Sequence, residues 1–118
     1  MEYAKLGKSG IEVSRLCVGC MSFGRPSEDF HEWTLNPNET EEIVKKALDL
    51  GINFFDTANT YSHGTSEEYL GRALKKNIAR NKVVIGTKVY FNEGHLSKEA
   101  VRREIDGSLK RLGTDYVD

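Results

Sequence analysis

The sequence predicts an α/β protein in which parallel strands alternate with helices. Short apolar segments recur along the chain, and each is followed by a polar loop and an amphipathic helix. The predicted strands are Leu16–Gly19, Ile52–Asp56, Val83–Lys88 and one that begins near Tyr116. Alternation of strands with helices is typical of a parallel sheet, and a strand as apolar as residues 83–85 is typical of a sheet covered on both faces.

The spacing of the strands favours a repeated βα unit. The predicted strands start about 30 residues apart, and eight such units would make the roughly 250 residues typical of a TIM barrel. Two strand-like runs around a Gly/Ser turn predict a β-hairpin in residues 1–14, before the repeat begins. The pattern alone does not separate a barrel from an open doubly wound sheet, although the first βα loop has no G-x-G-x-x-G sequence.

The first helix has two candidate starts. It can begin after Asn36, with Pro37 as its first residue, or after Asn38, with Glu41 completing a capping box. Both alternatives lead into the same helix, and Gly51 is placed to end it in the left-handed conformation.

The second and third helices have their own capping signals. Thr65 with Glu68 is a candidate capping box for the second helix. Ser97 is the expected cap of the third helix, and Gly113 its stop. Helical spacing predicts three buried faces, one per helix, formed by Ile43, Val44, Ala47 and Leu48, by Tyr69, Leu70, Ala73 and Leu74, and by Val101, Ile105, Leu109 and Leu112.

Composition excludes several function classes. The 118 residues are 38% hydrophobic and 30% charged, as in globular proteins, and 17 basic against 18 acidic residues give a net charge of -1. This balance argues against nucleic acid and anionic membranes as partners. No apolar run reaches the roughly 20 residues of a transmembrane helix, and the opening residues lack a signal-peptide layout, so we expect a cytoplasmic protein. The Cys17-x-x-Cys20 pair supplies too few ligands for a structural zinc site, so we expect two unpaired thiols and no metal.

Three polar residues follow the predicted strands in a chemically suggestive order. Asp56 ends the second strand, Tyr61 lies in the loop after it, and Lys88 ends the third strand. Taken singly, such an aspartate often caps a turn and such a lysine is often solvated. Together they suit carbonyl reduction, because hydride transfer to carbon leaves charge on oxygen and requires a proton donor. A phenol becomes more acidic beside an ammonium group, and a carboxylate can keep that ammonium charged and oriented.

Residues 56–61 (Asp-Thr-Ala-Asn-Thr-Tyr) and residues 66–71 (Ser-Glu-Glu-Tyr-Leu-Gly) closely resemble the first signature of the aldo-keto reductases, and residues 86–88 (Gly-Thr-Lys) resemble their catalytic-lysine strand. The resemblance covers all 118 residues, including a hairpin that would plug the barrel floor. It implies that the domain 1–118 is the N-terminal portion of a (β/α)₈ TIM barrel, truncated at its C-terminus. This portion would hold the hairpin (residues 1–14), about three βα units from residue 15 onward, and the start of strand four.

The resemblance also implies roles for individual residues. Tyr61 would be the general acid, Lys88 the residue that makes its phenol more acidic, and Asp56 the partner of that lysine and part of the cofactor site. Gly19, Cys20 and Met21 would lie beside the nicotinamide ribose, with Cys20 where the family usually has threonine.

Further residues are placed by the same resemblance or by their context. Tyr90 would form a wall of the substrate pocket, and Trp33 would either line that pocket or pack elsewhere. The family's catalytic histidine would lie beyond residue 118, and His31, His63 and His95 are expected to be exposed loop residues.

The implied function is an NADP-dependent oxidoreductase that reduces aldehydes or ketones, with a small-molecule carbonyl as its substrate. A regulatory subunit of potassium channels with the same fold is an alternative, and an inactive half-barrel fragment is another. We expect the 118-residue chain itself to be inactive and to self-associate through exposed strand edges.

Overall fold

The computed structural model describes residues 1–118 and contains five strands and three α-helices. One single-turn 3₁₀ helix, Arg80–Lys82, and a tight turn, Tyr61–Gly64, lie in the connections. The strands are β1 (Tyr3–Lys5), β2 (Glu12–Ser14), β3 (Val18–Gly19), β4 (Phe54–Asp56) and β5 (Val84–Gly86), and the helices are α1 (Pro37–Asp49), α2 (Thr65–Asn77) and α3 (Lys98–Leu112).

The strands form a hairpin and a separate parallel sheet, as predicted. Strands β1 and β2 pair antiparallel, whereas β3, β4 and β5 pair parallel in sequential order. The register places Val18 beside Phe55, and Phe55 beside Ile85. The carboxyl ends of all three parallel strands therefore meet at one edge of the sheet, which we call the rim.

The parallel strands are shorter than predicted, and the expected strand near Tyr116 is not formed. The chain at this point is irregular, and the backbone N–H of Asp118 donates one hydrogen bond to the Ile85 carbonyl at 2.9 Å. This one backbone hydrogen bond places Asp118 beside β5, but a strand would need further backbone hydrogen bonds.

The guanidinium group of Arg80 holds residues 114–118 beside β5. It donates to the Asp118 carboxylate at 2.8 Å, to the Tyr116 carbonyl at 2.9 Å and to the Thr114 hydroxyl at 3.0 Å. The Cζ atom of Arg80 also lies 3.9 Å from the centroid of the Tyr116 ring, within the range of a cation–π contact. The Asp118 carboxylate in turn accepts the Ile85 N–H at 3.0 Å.

The three helices pack on one face of the parallel sheet. Phe55 and Ile85 are buried in a core that includes Val44, Leu70 and Leu112, one residue from each helix. The alternate positions of β4, at Phe54 and Asp56, face the other side and are only half-buried. The second face of the sheet is therefore only partly covered within this chain. The predicted helix-face residues Ile43 and Val101 are exposed.

The helix ends follow side-chain chemistry, with one departure from the predictions. Asn36 caps α1, and it forms a capping box with Glu39 through hydrogen bonds of 2.9 and 3.1 Å, so the start after Asn38 is wrong. Ser97 caps α3, and Gly113 ends it at φ 69°, as predicted. The predicted capping box at Thr65 is wrong, because that residue is already inside α2 and its hydroxyl donates to the Ser62 carbonyl at 2.6 Å.

Helices α2 and α3 touch at Gly71. A Cβ atom on this residue would lie against the backbone carbonyl of Leu112, 2.6 Å from the carbonyl carbon. Gly71 is buried, so the two helix backbones approach as closely as they do only because no side chain separates them.

The hairpin packs at the end of the sheet opposite the rim. The Tyr3 hydroxyl donates to the Gly51 carbonyl at 2.6 Å, and the Asn53 side chain accepts the Ser14 N–H at 2.7 Å. Both acceptors precede β4, which agrees with the position that the sequence predicts for the hairpin. None of the helices has the length and apolarity that a membrane span requires.

Candidate active site

The side chains of Asp56 and Lys88 form an ion pair at the rim. The Lys88 Nζ donates to Asp56 Oδ2 at 2.7 Å and to the Thr57 carbonyl at 2.8 Å. Backbone hydrogen bonds continue past the strand ends, from the Thr57 N–H to the Gly86 carbonyl and from the Asn59 N–H to the Lys88 carbonyl. The two segments are therefore held side by side beyond β4 and β5, which brings carboxylate and ammonium together.

Tyr61 joins this pair from the turn that precedes α2. The Lys88 Nζ lies 4.9 Å from the centroid of the Tyr61 ring. Burial alone lowers the pKa of Lys88, but the hydrogen bond with Asp56 and the nearby Tyr61 phenol outweigh it, so the pKa is raised above its usual value. All three residues that the sequence selects are thus adjacent, and Lys88 is held in its charged form between the other two.

The Tyr61 turn has an unusual backbone. Ser62 and His63 adopt left-handed conformations at φ 48° and 55°, which residues with a side chain rarely do. Gly24 packs so closely on this turn that a Cβ there would lie 2.6 Å from the Ser62 Oγ, and the Arg25 N–H donates to Thr65 Oγ1 at 2.8 Å. The loop after β3 therefore braces the turn that carries Tyr61.

The predicted cofactor residues lie at the end of β3, and their side chains differ in exposure. Gly19 pairs with Asp56, and no atom lies within 4 Å of the place a Cβ would take, so the backbone here is open to a flat ring. Met21 is exposed. The Cys20 side chain is fully buried, its thiol donates to the Val18 carbonyl at 3.4 Å, and burial raises its pKa, so this side chain does not face a cofactor at the rim.

The second cysteine lies on the other side of β3. Cys17 is exposed, and it forms no disulfide with Cys20. Its pKa is raised, first by partial burial and then by the negative charge of Asp56, although Lys88 opposes this.

A cleft of about 210 Å³ opens directly beside the ion pair. Tyr61, Lys88, Tyr90 and Phe91 are among the residues that line it. Apolar aromatic rings beside a few polar groups are typical of sites for small organic molecules.

Trp33 lies outside this cleft. It is 57% exposed and stacks on His31, with the ring centroids 4.5 Å apart. The His31 ring also packs on Phe30, whose centroid is 6.3 Å from that of Tyr61. Trp33 is thus separated from Tyr61 by the His31 and Phe30 rings. His31 is expected from the sequence to be exposed, but this stacking leaves it half-buried.

The other two histidines are exposed, as expected. His63 Nε2 lies 3.0 Å from Asp29 Oδ1, and His95 Nδ1 lies 2.7 Å from the Tyr90 carbonyl. No three His, Cys, Asp or Glu side chains come together as metal ligands would.

Sequence reasoning missed a buried polar layer beneath the rim. Ser66 and Glu67 in the first turn of α2 are fully buried, and they contact Thr57 and Thr87. A signal was present, because Glu67 lies three residues before Leu70 and so falls on the buried face of the helix.

Asn59 is a second missed residue, and it also lies beside the site. Its amide donates to Glu104 at 2.8 Å and to Asn92 at 3.1 Å. The hydrogen bond from Asn59 is the main cause of a lowered pKa for Glu104. Asn59 thus ties the loop that carries Tyr61 to helix α3.

Known proteins share both the sequence and the fold of this chain. One relative is the versiconal hemiacetal acetate reductase of Aspergillus parasiticus, which is 42% identical over 142 residues, with 100% of this chain and 40% of the relative covered. Another is a probable voltage-gated potassium channel subunit beta of Oryza sativa subsp. japonica, 36% identical, with 100% of this chain and 36% of the relative covered.

Solved structures of aldo-keto reductases are also similar to this chain. A thermostable aldo-keto reductase in complex with the inhibitor epalrestat matches with a TM-score of 0.83 and 34% identity, over 100% of this chain and 41% of its own. Such neighbours are (β/α)₈ barrels, so the chain is a partial barrel and spans about two fifths of the length of its relatives. The family model for the aldo/keto reductases matches residues 15–118, and the chain therefore belongs to the aldo-keto reductase family.

Proposed function

We propose that these residues supply the proton-transfer part of an NADP-dependent reductase of aldehydes or ketones. The observation that carries the proposal is the position of the Lys88 Nζ, 2.7 Å from the Asp56 carboxylate and 4.9 Å from the centroid of the Tyr61 ring. We infer NADP as the cofactor from the family resemblance. We infer a cytoplasmic location because the sequence has no apolar run long enough for a membrane span and no signal-peptide layout.

The side chains would act together on a bound carbonyl group. The nicotinamide, when bound, supplies hydride to the carbonyl carbon. The Tyr61 phenol donates its proton to the carbonyl oxygen, and the Lys88 ammonium stabilises the phenolate that remains. Asp56 keeps Lys88 charged and oriented, and the open backbone at Gly19 leaves room for the flat ring beside Asp56.

The cleft supports a substrate class. Tyr90 and Phe91 form apolar walls next to Tyr61, so a carbonyl attached to an apolar or aromatic group would be favoured over a small polar one. The carbonyl oxygen of such a substrate would point toward Tyr61 and Lys88, with its apolar part against the wall that the two rings form.

The activity would belong to a whole barrel that contains these residues, called below the whole-barrel enzyme. The three-stranded sheet has an open edge at β3, and the face that carries Asp56 is only partly covered. A complete barrel would close that edge and enclose the site.

The proposal is tested by replacing Tyr61 in the whole-barrel enzyme. We expect Tyr61→Phe to lower kcat by about 10²- to 10⁴-fold, the usual contribution of general acid catalysis, with little change in cofactor affinity. Tyr69→Phe is the matched control, because this tyrosine lies on α2 and contacts Arg72 instead of the site. NADPH oxidation followed with a panel of aldehydes and ketones measures both variants.

Two outcomes of this experiment contradict the proposal. A Tyr61→Phe variant with wild-type kcat would remove Tyr61 from the chemistry. Tight NADPH binding without turnover of any carbonyl would favour the alternative of a channel-type regulatory subunit, which the relative from Oryza sativa represents.

A further inference from the structure

We propose that Ser66 and Glu67, here called the α2 anchor, are positioning residues that fix the three strand ends of the rim relative to one another. The proposal rests on the proposed function, since it concerns the geometry of the same site. Neither side chain reaches the cleft, and both act through residues that are neighbours in sequence of Gly19, Asp56 and Lys88.

Ser66 links the first two strand ends. Its hydroxyl donates to the Cys20 carbonyl at 2.6 Å, and it lies 2.9 Å from the Thr57 hydroxyl. A serine hydroxyl has a single proton, so the bond to Cys20 leaves Ser66 to accept from Thr57. One buried oxygen thereby joins the residue after Gly19 to the residue after Asp56.

Glu67 holds the third strand end. Its Oε1 accepts a hydrogen bond from the Thr87 hydroxyl at 2.7 Å, and its Oε2 accepts one from Arg111 at 2.6 Å. Thr87 directly precedes Lys88. The two carboxylate oxygens therefore connect the end of β5 to helix α3 through the first turn of α2.

The energetics favour a positioning role over a purely stabilising one. Burying a carboxylate is costly unless it is paired, and a buried ion pair often stabilises a fold no more than an apolar pair of the same size. Glu67 is fully buried with Arg111 as its partner. Unlike apolar packing, the ion pair fixes the orientation of the Thr87 side chain, because the Glu67 carboxylate accepts a hydrogen bond from the Thr87 hydroxyl.

The alternation of side chains along a strand explains how the anchor acts on the site. Successive residues point to opposite faces, so Thr57 and Thr87 point toward the helices while Asp56 and Lys88 point away from them. A hydroxyl held on the helix side fixes the backbone from which the next side chain departs. Displacements of about 1 Å at a reacting group can cost 10²-fold in rate, so this restraint is large enough to matter.

The first test compares Thr87→Val with Thr87→Ser in the whole-barrel enzyme. Valine keeps the shape of threonine without the hydroxyl, whereas serine keeps the hydroxyl. We expect Thr87→Val to lower kcat by roughly 10- to 100-fold with KM for the carbonyl changed less than about threefold, and Thr87→Ser to restore most of kcat. Thr57→Val and Thr57→Ser form an independent pair on the neighbouring strand, in case Thr87→Val does not fold.

The second test needs no catalysis. The ¹³Cε resonance of Lys88 in the 118-residue chain reports its pKa, which is raised by the contact with Asp56. We expect Thr87→Val to move that pKa down toward the ordinary lysine value, and Thr87→Ser to leave it raised.

The two measurements separate the anchor from the proposed function. If folded valine variants keep both kcat and the Lys88 titration, the anchor proposal is overturned. If the wild-type enzyme reduces no carbonyl but the Lys88 titration still follows the hydroxyl of Thr87, the anchor stands and the proposed function fails.

Discussion

Replacement of Gly71 by alanine is expected to destabilise the fold, although alanine is the better helix former. Gly71 lies inside α2, where a glycine-to-alanine change ordinarily stabilises by roughly 0.5–1 kcal/mol. Here the new Cβ would lie 2.6 Å from the Leu112 carbonyl carbon, which belongs to the backbone of α3 and cannot rotate away.

The magnitude follows from the distance. Nonbonded carbon atoms prefer about 3.5–4 Å, so α3 would have to move by about 1 Å relative to α2. Overpacking of this kind typically costs about 1–3 kcal/mol, and a backbone neighbour favours the upper end of that range. After subtraction of the helix-propensity gain, we expect Gly71→Ala to lower the free energy of unfolding by about 2 kcal/mol.

Urea unfolding at one fixed protein concentration, followed by far-UV circular dichroism, measures this effect. The midpoint should fall by roughly 1 to 2 M, because m is about 1–2 kcal/mol/M for a small protein. Gly107→Ala is the comparison variant, since the Cβ at this α3 position would lie 3.0 Å from the Arg111 Nη1 and against no backbone atom, and we expect it to destabilise less than Gly71→Ala. If Gly71→Ala were as stable as Gly107→Ala, the inferred contact between the helix backbones would be refuted.

Three further predictions concern the thiols, the ion pair and the open edge. In the folded chain Cys17 should react with Ellman's reagent while buried Cys20 does not, and equal rates for the two thiols would show that Cys20 is accessible. Because the folded pKa of Lys88 is raised, the stability lost in Lys88→Met should be constant from neutral pH to about pH 10, near the unfolded lysine pKa, and should shrink as pH rises through the folded pKa. A stability difference that is unchanged in strong alkali would argue against the pair with Asp56. Light scattering should give the chain a mass above 13.3 kDa, because an unpaired β3 edge invites pairing, and a stable monomer would contradict this.

The order of the elements and the rim residues could be predicted from the sequence because both depend on local signals. The predicted cap of α3 at Ser97 and its end at Gly113 were correct because each is set by the residue's own chemistry. Asp56 and Lys88 could be placed together because the carboxyl ends of adjacent parallel strands share one edge.

The errors occurred where distant contacts decide the structure. Thr65 has the sequence of a helix cap, but its hydroxyl donates to Ser62 and accepts from Arg25, forty residues earlier in the chain. The spacing of Glu67 from Leu70 places it on the buried face of α2, but its pairing with Arg111, 44 residues later in the chain, cannot be read from spacing. The apolar spacing at Val101 correctly indicated a helix but not whether that face would be covered.

The contacts of Arg80 limit which insertions and deletions this part of the chain can accept. A shift of residues 114–118 by a single position would move the Tyr116 carbonyl and the Asp118 carboxylate away from the guanidinium. The hydrogen bond between Asp118 and the Ile85 N–H would be lost in the same step. Loop-length variation between α3 and residue 118 should therefore be rare in functional variants, whereas the side-chain hydrogen bonds of the exposed turn at residues 7–10 reach only nearby residues of the hairpin.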